Sequence, residues 1–207
     1  MDMNRRVYNK IDNVLSVGHM DMNRILEHID SIVLKDPMKN KSTSFWEKPH
    51  LNTIKLNTDA AIMGNYTALA VVARDNSGKI LLAAAKKVTT GDPLVAEAST
   101  LLWALQLVVS YQFQHCIIEW DTKNCIDTCN GRLYDCPWSI AAICHDVKSL
   151  LHNCPNVVFN WVRRDANSVA HALTKFVAQS QFFSFCNIES LPLFVYEVWV
   201  RDVNGSV

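Results

Sequence analysis

The stretch Leu51-Asn52-Thr53-Ile54-Lys55-Leu56-Asn57-Thr58-Asp59 changes the periodicity of the chain to two. Ile54, Leu56 and Thr58 fall on one face of a strand and Lys55, Asn57 and Asp59 on the other, because successive side chains of a strand point to opposite faces. Downstream, Ala68 to Ala73 is a second apolar run, which leads through Arg74-Asp-Asn-Ser-Gly78-Lys79 into Ile80-Leu-Leu-Ala-Ala-Ala85. Two apolar runs around a short Asp/Asn/Ser/Gly segment predict a hairpin. Gly91-Asp92-Pro93 then opens a helix, with Asp92 as N-cap and Pro93 at the first helical position. Its apolar stripe, Leu94, Ala98, Leu101, Leu102, Leu105, Val108 and Val109, predicts a run to about Ser110 and leaves Glu97 in the first turn beside the stripe. Cys116-Ile-Ile-Glu119-Trp120-Asp121 reads as a strand ending at Asp121, followed by a helix from Thr122 to Gly131. Pro137 to Leu151 predicts another helix, Asn156 to Val162 a final strand, and Asn167 to about Gln179 a final helix. Antiparallel strands followed by alternating strands and helices predict a mixed sheet flanked by helices.

Outside this region the chain is organised differently. In residues 1–45, an N-terminal extension, Val14, Val17, Ile25, Leu26, Ile29, Ile32 and Val33 allow one or two short helices, and the polar run Lys35 to Ser44 reads as a linker. The domain itself spans 46–179, and 180–207 is a hydrophobic tail expected to pack on it or extend it. With 207 residues, 49% hydrophobic and 19% charged, and 20 basic against 20 acidic side chains, the composition is that of a globular protein. No apolar run is expected to reach the roughly 18 residues that cross a bilayer, and the start lacks a signal-peptide block. The expectation is a monomeric intracellular protein, in nucleus or cytoplasm and not secreted, without a membrane partner. Seven cysteines, an odd number without a Cys-x-x-Cys pair, argue for reduced thiols over a disulfide framework or a zinc site. From Leu51 to Gln179 there are 11 Lys and Arg against 10 Asp and Glu, so the domain lacks the basic excess of a salt-driven nucleic-acid binder.

Three carboxylates stand where elements end. Asp59 closes the first strand, Asp121 the fourth, and Glu97 begins the helix between them. In open sheets with a parallel pair, ligands bind beyond the carboxyl ends of the strands. If the first and fourth strands are neighbours, Asp59 and Asp121 converge there and repel one another unless a cation lies between them. Oxygen donors of this kind select magnesium or manganese. The implied chemistry is metal-assisted phosphoryl hydrolysis, in which two ions about 3.5–4 Å apart activate water and stabilise the leaving oxygen. Singly, each carboxylate would be read as a turn, a cap or a partner of the helix dipole.

The order Lys55-Leu-Asn-Thr-Asp59-Ala-Ala, Val72-Ala-Arg-Asp-Asn-Ser-Gly78, Leu94-Val-Ala-Glu97-Ala, Ile118-Glu-Trp-Asp121 and Val162-Arg-Arg-Asp-Ala-Asn167-Ser-Val-Ala-His171-Ala-Leu resembles the ribonuclease H-like domain of plants, the reverse-transcriptase-like group related to retroelement ribonuclease H. The resemblance covers Trp46 to Gln179, and the tail from Leu191-Pro-Leu-Phe-Val to Val200-Arg-Asp is similar to the ends of plant members. It implies an α/β ribonuclease H-like fold, with a five-stranded mixed sheet of three antiparallel then parallel strands and helices on both faces. It also implies two-metal endonucleolytic cleavage of the RNA strand of an RNA–DNA hybrid. Asp59, Glu97 and Asp121 match the family's metal-binding carboxylates, for Mg2+ or Mn2+, and His171 stands at the fourth catalytic position. Arg163, Arg164 and Asn167 are the expected nucleic-acid contacts.

Ala60 and Ala70 stand where the family usually has Gly, and a methyl group there could crowd a nucleic-acid backbone. With the neutral charge, this motivates the alternative of a catalytically weakened or inactive binding module on the same fold. Trp46, Tyr66, Trp103, Trp120, Trp138 and Trp161 could stack on bases, although Trp103, Trp120 and Trp161 fall inside predicted elements and are expected in the core.

Overall fold

The computed structural model describes residues 44–122, 137–154, 156–180, 184–186 and 191–205. The helices expected before residue 44 and over residues 123–131 lie outside them. Three antiparallel strands come first: β1 (Ile54–Met63), β2 (Tyr66–Arg74) and β3 (Ile80–Val88). Helix α1 (Pro93–Tyr111) leads to β4 (Cys116–Trp120), which pairs in parallel with β1. Helix α2 (Ala141–Leu151) precedes β5 (Val157–Trp161), parallel to β4. A 3-10 turn over Arg164–Asn167 enters α3 (Ser168–Gln179); a three-residue strand β6 (Ser184–Cys186) and helix α4 (Leu193–Asn204) follow. The sheet order is β5-β4-β1-β2-β3-β6. This is the expected five-stranded mixed sheet, with β6 added at the β3 edge.

Several boundaries differ from expectation for local reasons. β1 runs on past Asp59 because its hairpin with β2 continues from Asp59↔Ala70 to Met63↔Tyr66, while β4 stops at Trp120. Glu97, the fifth residue of α1, lies beyond the first turn; the cap itself is as expected, with Asp92 Oδ1 accepting from the Leu94 and Val95 amides at 2.8 and 3.2 Å. α1 also corrects the expectation about apolar length: its 19 residues are long and apolar enough to cross a membrane. Here much of that surface is spent on the core, where Ala98, Leu101, Ala104, Leu105 and Val108 are buried.

Both faces of the sheet are covered, which decides the character of β1. On one face α1 and α2 pack on Leu56, Leu69, Val71 and Ile118. On the other, Val169, Leu173 and Val177 of α3 and Val195 of α4 pack on Ala68, Ala70, Val72, Ala83 and Ala85. The small alanines let α3 approach the sheet closely. Lys55, Asn57 and Asp59, the polar set of the period-two pattern, are therefore buried too. The β2–β3 turn has Gly78 at φ 88, where a Cβ would lie 2.9 Å from a methyl of Val203 in α4.

Candidate active site

The parallel register of β1 and β4 ends at Asn57↔Glu119. Two residues further along each chain stand Asp59 and Asp121, on the same side at the same end of the sheet, because side-chain direction repeats every second residue. The Asp121 segment is held by two indoles: Trp161 Nε1 donates to the Asp121 carbonyl at 2.9 Å, and Trp120 Nε1 to the Thr122 carbonyl at 2.7 Å. Thr122 Oγ1 in turn donates to Glu97 Oε1 at 3.0 Å, which brings α1 to the same place. From α3, His171 Nδ1 lies 3.2 Å from Asp59 Oδ2. Arg164 completes a chain of contacts, with Nη1 3.2 Å from Asp121 Oδ2 and Nη2 2.9 and 3.1 Å from the two ring nitrogens of His171. With Nδ1–H donating to Asp59, the imidazole accepts from Arg164 through Nε2, at 3.1 Å.

The carboxylates share one electrostatic field. Burial pushes Glu97 up to about 7, the charges of Asp59 and Asp121 add to the rise, and the Thr122 hydroxyl opposes it. Asp121 is also raised, first by burial and then by Asp59, with Arg164 opposing. Glu97 and Asp121 are thus costlier to ionise, first because they are buried and then because Asp59 is near. Among the described residues, no group of three or more His, Cys, Asp or Glu side chains stands close enough to hold one metal ion. The link between Asp59 and Asp121 is made by His171 and Arg164.

Other expected site residues are placed differently. Arg163 and Arg164 are exposed. Asn167 is 0% exposed, so it does not contact nucleic acid, and that expectation is corrected. Its amide Nδ2 donates to the Thr58 carbonyl at 2.8 Å, pinning the start of α3 beside Asp59. The methyl group of Ala70 is likewise buried beneath α3 and crowds no backbone outside the protein, whereas Ala60 is partly buried against the α1 side. Trp46, Trp103 and Trp120 are core residues, while Trp138 is 92% exposed.

Sequence reasoning missed the layer beneath the site. Lys55 Nζ lies 2.9 Å from Glu119 Oε1, and Asn57 Nδ2 donates to Glu119 Oε2 at 3.0 Å. Arg74 donates to Asn57 Oδ1 at 2.6 Å and to Asp202 Oδ2 of α4 at 2.8 Å, with its guanidinium 3.8 Å over the Trp46 ring. The available signal was the polar half of the β1 pattern: in a sheet with helices on both faces, such a set must be buried and paired.

Comparison with solved structures supports the same architecture. The RNase H1 of the halophilic archaeon Halobacterium salinarum is 20% identical, with a TM-score of 0.55 over 59% of this chain and 95% of its own. LC11-RNase H1, isolated from compost and solved in complex with an RNA/DNA hybrid, is 19% identical, with a TM-score of 0.54 over 59% of this chain and 94% of its own. The foamy viral protease-reverse transcriptase, also solved with an RNA/DNA hybrid, is 12% identical with a TM-score of 0.52, and 68% of this chain matches 22% of the viral one. No match is found among curated proteins. The fold is ribonuclease H-like. Residues 57–177, more than half of the chain, match the model of the family described as reverse transcriptase-like, and the chain belongs to that family.

Proposed function

We propose that the protein is a divalent-metal-dependent nuclease that cleaves the RNA strand of RNA–DNA hybrids, with Mg2+ or Mn2+ as its cofactor. The observation that carries this reading is the convergence of Asp59, Glu97 and Asp121 from β1, α1 and the end of β4 into one field, in which Glu97 is pushed up to about 7. The donors fit such an ion in their chemistry: they are carboxylate oxygens, two of which, Glu97 and Asp121, are costly to ionise here, and a hard cation that draws them together relieves that cost. Bound divalent ions would supply charge neutralisation and water activation for displacement at phosphorus. The chain's own residues do the rest. Asp59, Glu97 and Asp121 provide the ligands, and Trp161 and Thr122 keep Asp121 and Glu97 in place. His171, oriented by Asp59 through Nδ1, presents Nε2 to take up or return a proton. Exposed Arg163 and Arg164 reach phosphate oxygens of the hybrid.

A second reading, a binding module without turnover, is favoured by the Arg164–His171 bridge between the carboxylates. A hybrid with a labelled RNA strand separates the two. Under the first, the protein cuts the RNA with Mg2+, and Asp59→Asn and Asp121→Asn each abolish cutting. Equal cleavage by these variants overturns the assignment, and binding of the hybrid without cleavage by the unaltered protein favours the module.

A further inference from the structure

We propose that Arg164 is a displaceable counter-ion of the carboxylate site. It ties Asp121 to His171 and Asp59 when no metal is bound, yields to a divalent cation, and is then free to hold a phosphate oxygen of the nucleic acid. The proposal rests on the metal-site reading above.

Four observations carry it. The guanidinium engages both halves of the site at once, with Nη1 on Asp121 and Nη2 on His171, which itself contacts Asp59. It does so from the solvent side: the Arg164 side chain is 61% exposed, and that of Asp121 beneath it 8%. The contact with Asp121 is long, since 3.2 Å exceeds the roughly 2.7–2.9 Å of a tight charge-assisted bond, and solvent reaches the arginine half of the pair, which weakens it. Finally, the backbone that carries the side chain is held in place beside the site. Arg164 lies in the 3-10 turn Arg164–Asn167, whose far end is fixed by the buried Asn167 bond to Thr58.

These features suit exchange. A fixed positive charge offsets the repulsion among Asp59, Asp121 and Glu97 in the metal-free protein, yet it is held weakly enough for a divalent ion to replace it. The released planar fork matches two phosphate oxygens better than an ammonium would. Metal and nucleic acid then assist one another through this side chain, because the ion frees the arginine and the phosphate keeps it away from Asp121.

The test uses the full chain and Mg2+ alone. Calorimetric titration is expected to show Arg164→Ala binding Mg2+ about two- to fivefold more tightly than the unaltered protein, the range set by a weak pair with one partner in solvent. Removing a positive charge could raise affinity without any displacement, so a second readout is needed: the Arg164 side-chain Nε–H resonance in 15N NMR, expected to shift or broaden as Mg2+ saturates the unaltered protein. Mg2+ binding of equal affinity in both proteins, or an Arg164 resonance that does not move at saturation, overturns the counter-ion role and leaves the metal site standing. Absence of Mg2+ binding by both proteins overturns the metal-site reading and this role with it.

Discussion

Replacing Asp202 with alanine is expected to destabilise the protein by about 3–4 kcal/mol, although the residue lies in a C-terminal helix far from the candidate site in sequence. Asp202 accepts from Arg74 at 2.8 Å, and the Arg74 side chain is 0% exposed. Burial lowers the Arg74 pKa and the charge of Asp202 opposes that shift, so the carboxylate offsets much of the cost of burying the cation. Removing one partner of a buried ion pair costs about 3–5 kcal/mol, because the other charge stays behind without compensation. The lower part of that range applies, since Arg74 keeps Asn57 at 2.6 Å and the Trp46 ring at 3.8 Å. Ser168 Oγ also loses its contact with Asp202 Oδ1 at 3.2 Å, which adds about 0.5–1 kcal/mol. In urea denaturation the midpoint should fall with the slope unchanged, and Tm should drop by about 10 °C. Combining Asp202→Ala with Arg74→Met removes the stranded charge, and the double variant should lose only about 1–2 kcal/mol, chiefly from Asn57 Oδ1, which loses its donor while Nδ2 keeps Glu119. A loss under 1 kcal/mol for Asp202→Ala, or a double variant no more stable than the single one, refutes the reasoning.

Glu97 gives the metal-free protein a pH dependence. Its folded pKa, about 7, lies above the ordinary 4.5, so between these values the folded state holds a proton that the unfolded chain has lost. Stability therefore falls as pH rises through that window, by about 2–3 kcal/mol; Glu97→Gln should remove this component, and urea titrations in EDTA at pH 5 and pH 8 would count against it if the variant lost as much stability between the two as the unaltered protein. Asn167→Ala should cost about 1–3 kcal/mol by leaving the buried Thr58 carbonyl without its donor, and should perturb the amide signals of Thr58 and Asp59; a variant within 0.5 kcal/mol of the unaltered protein, with those signals in place, contradicts the positioning role.

These expectations connect two layers of one structure. The polar layer from Lys55 through Glu119, Asn57 and Arg74 to Asp202 lies under the carboxylates and joins β1, β4, β2 and α4. A perturbation of α4 thus acts on β1, the strand that carries Asp59. A hydrogen-bonded layer of this kind favours one packing over its alternatives, because any other arrangement strands a charge away from water.

The order and type of the elements were legible in the amino-acid sequence because their signals are local. The β1 pattern has a period of two, the α1 stripe a helical one, and Asp92-Pro93 is a cap whose bonds reach only two and three residues ahead. Asp59, Glu97 and Asp121 were legible as carboxylates at the ends of predicted elements, and His171 through the order of the motifs. Only the tertiary structure set the parallel register of β1 and β4, which brings Asp59 level with Asp121. It also turned Asn167, read as a nucleic-acid contact, inward onto Thr58, and paired Arg74 with a residue 128 positions away. Arg164 meets Asp121 across 43 positions in the same manner. The physical reason is common to all of these: a polar side chain has the same local signature whether it faces water or a buried partner, and what covers it is decided by how distant elements pack.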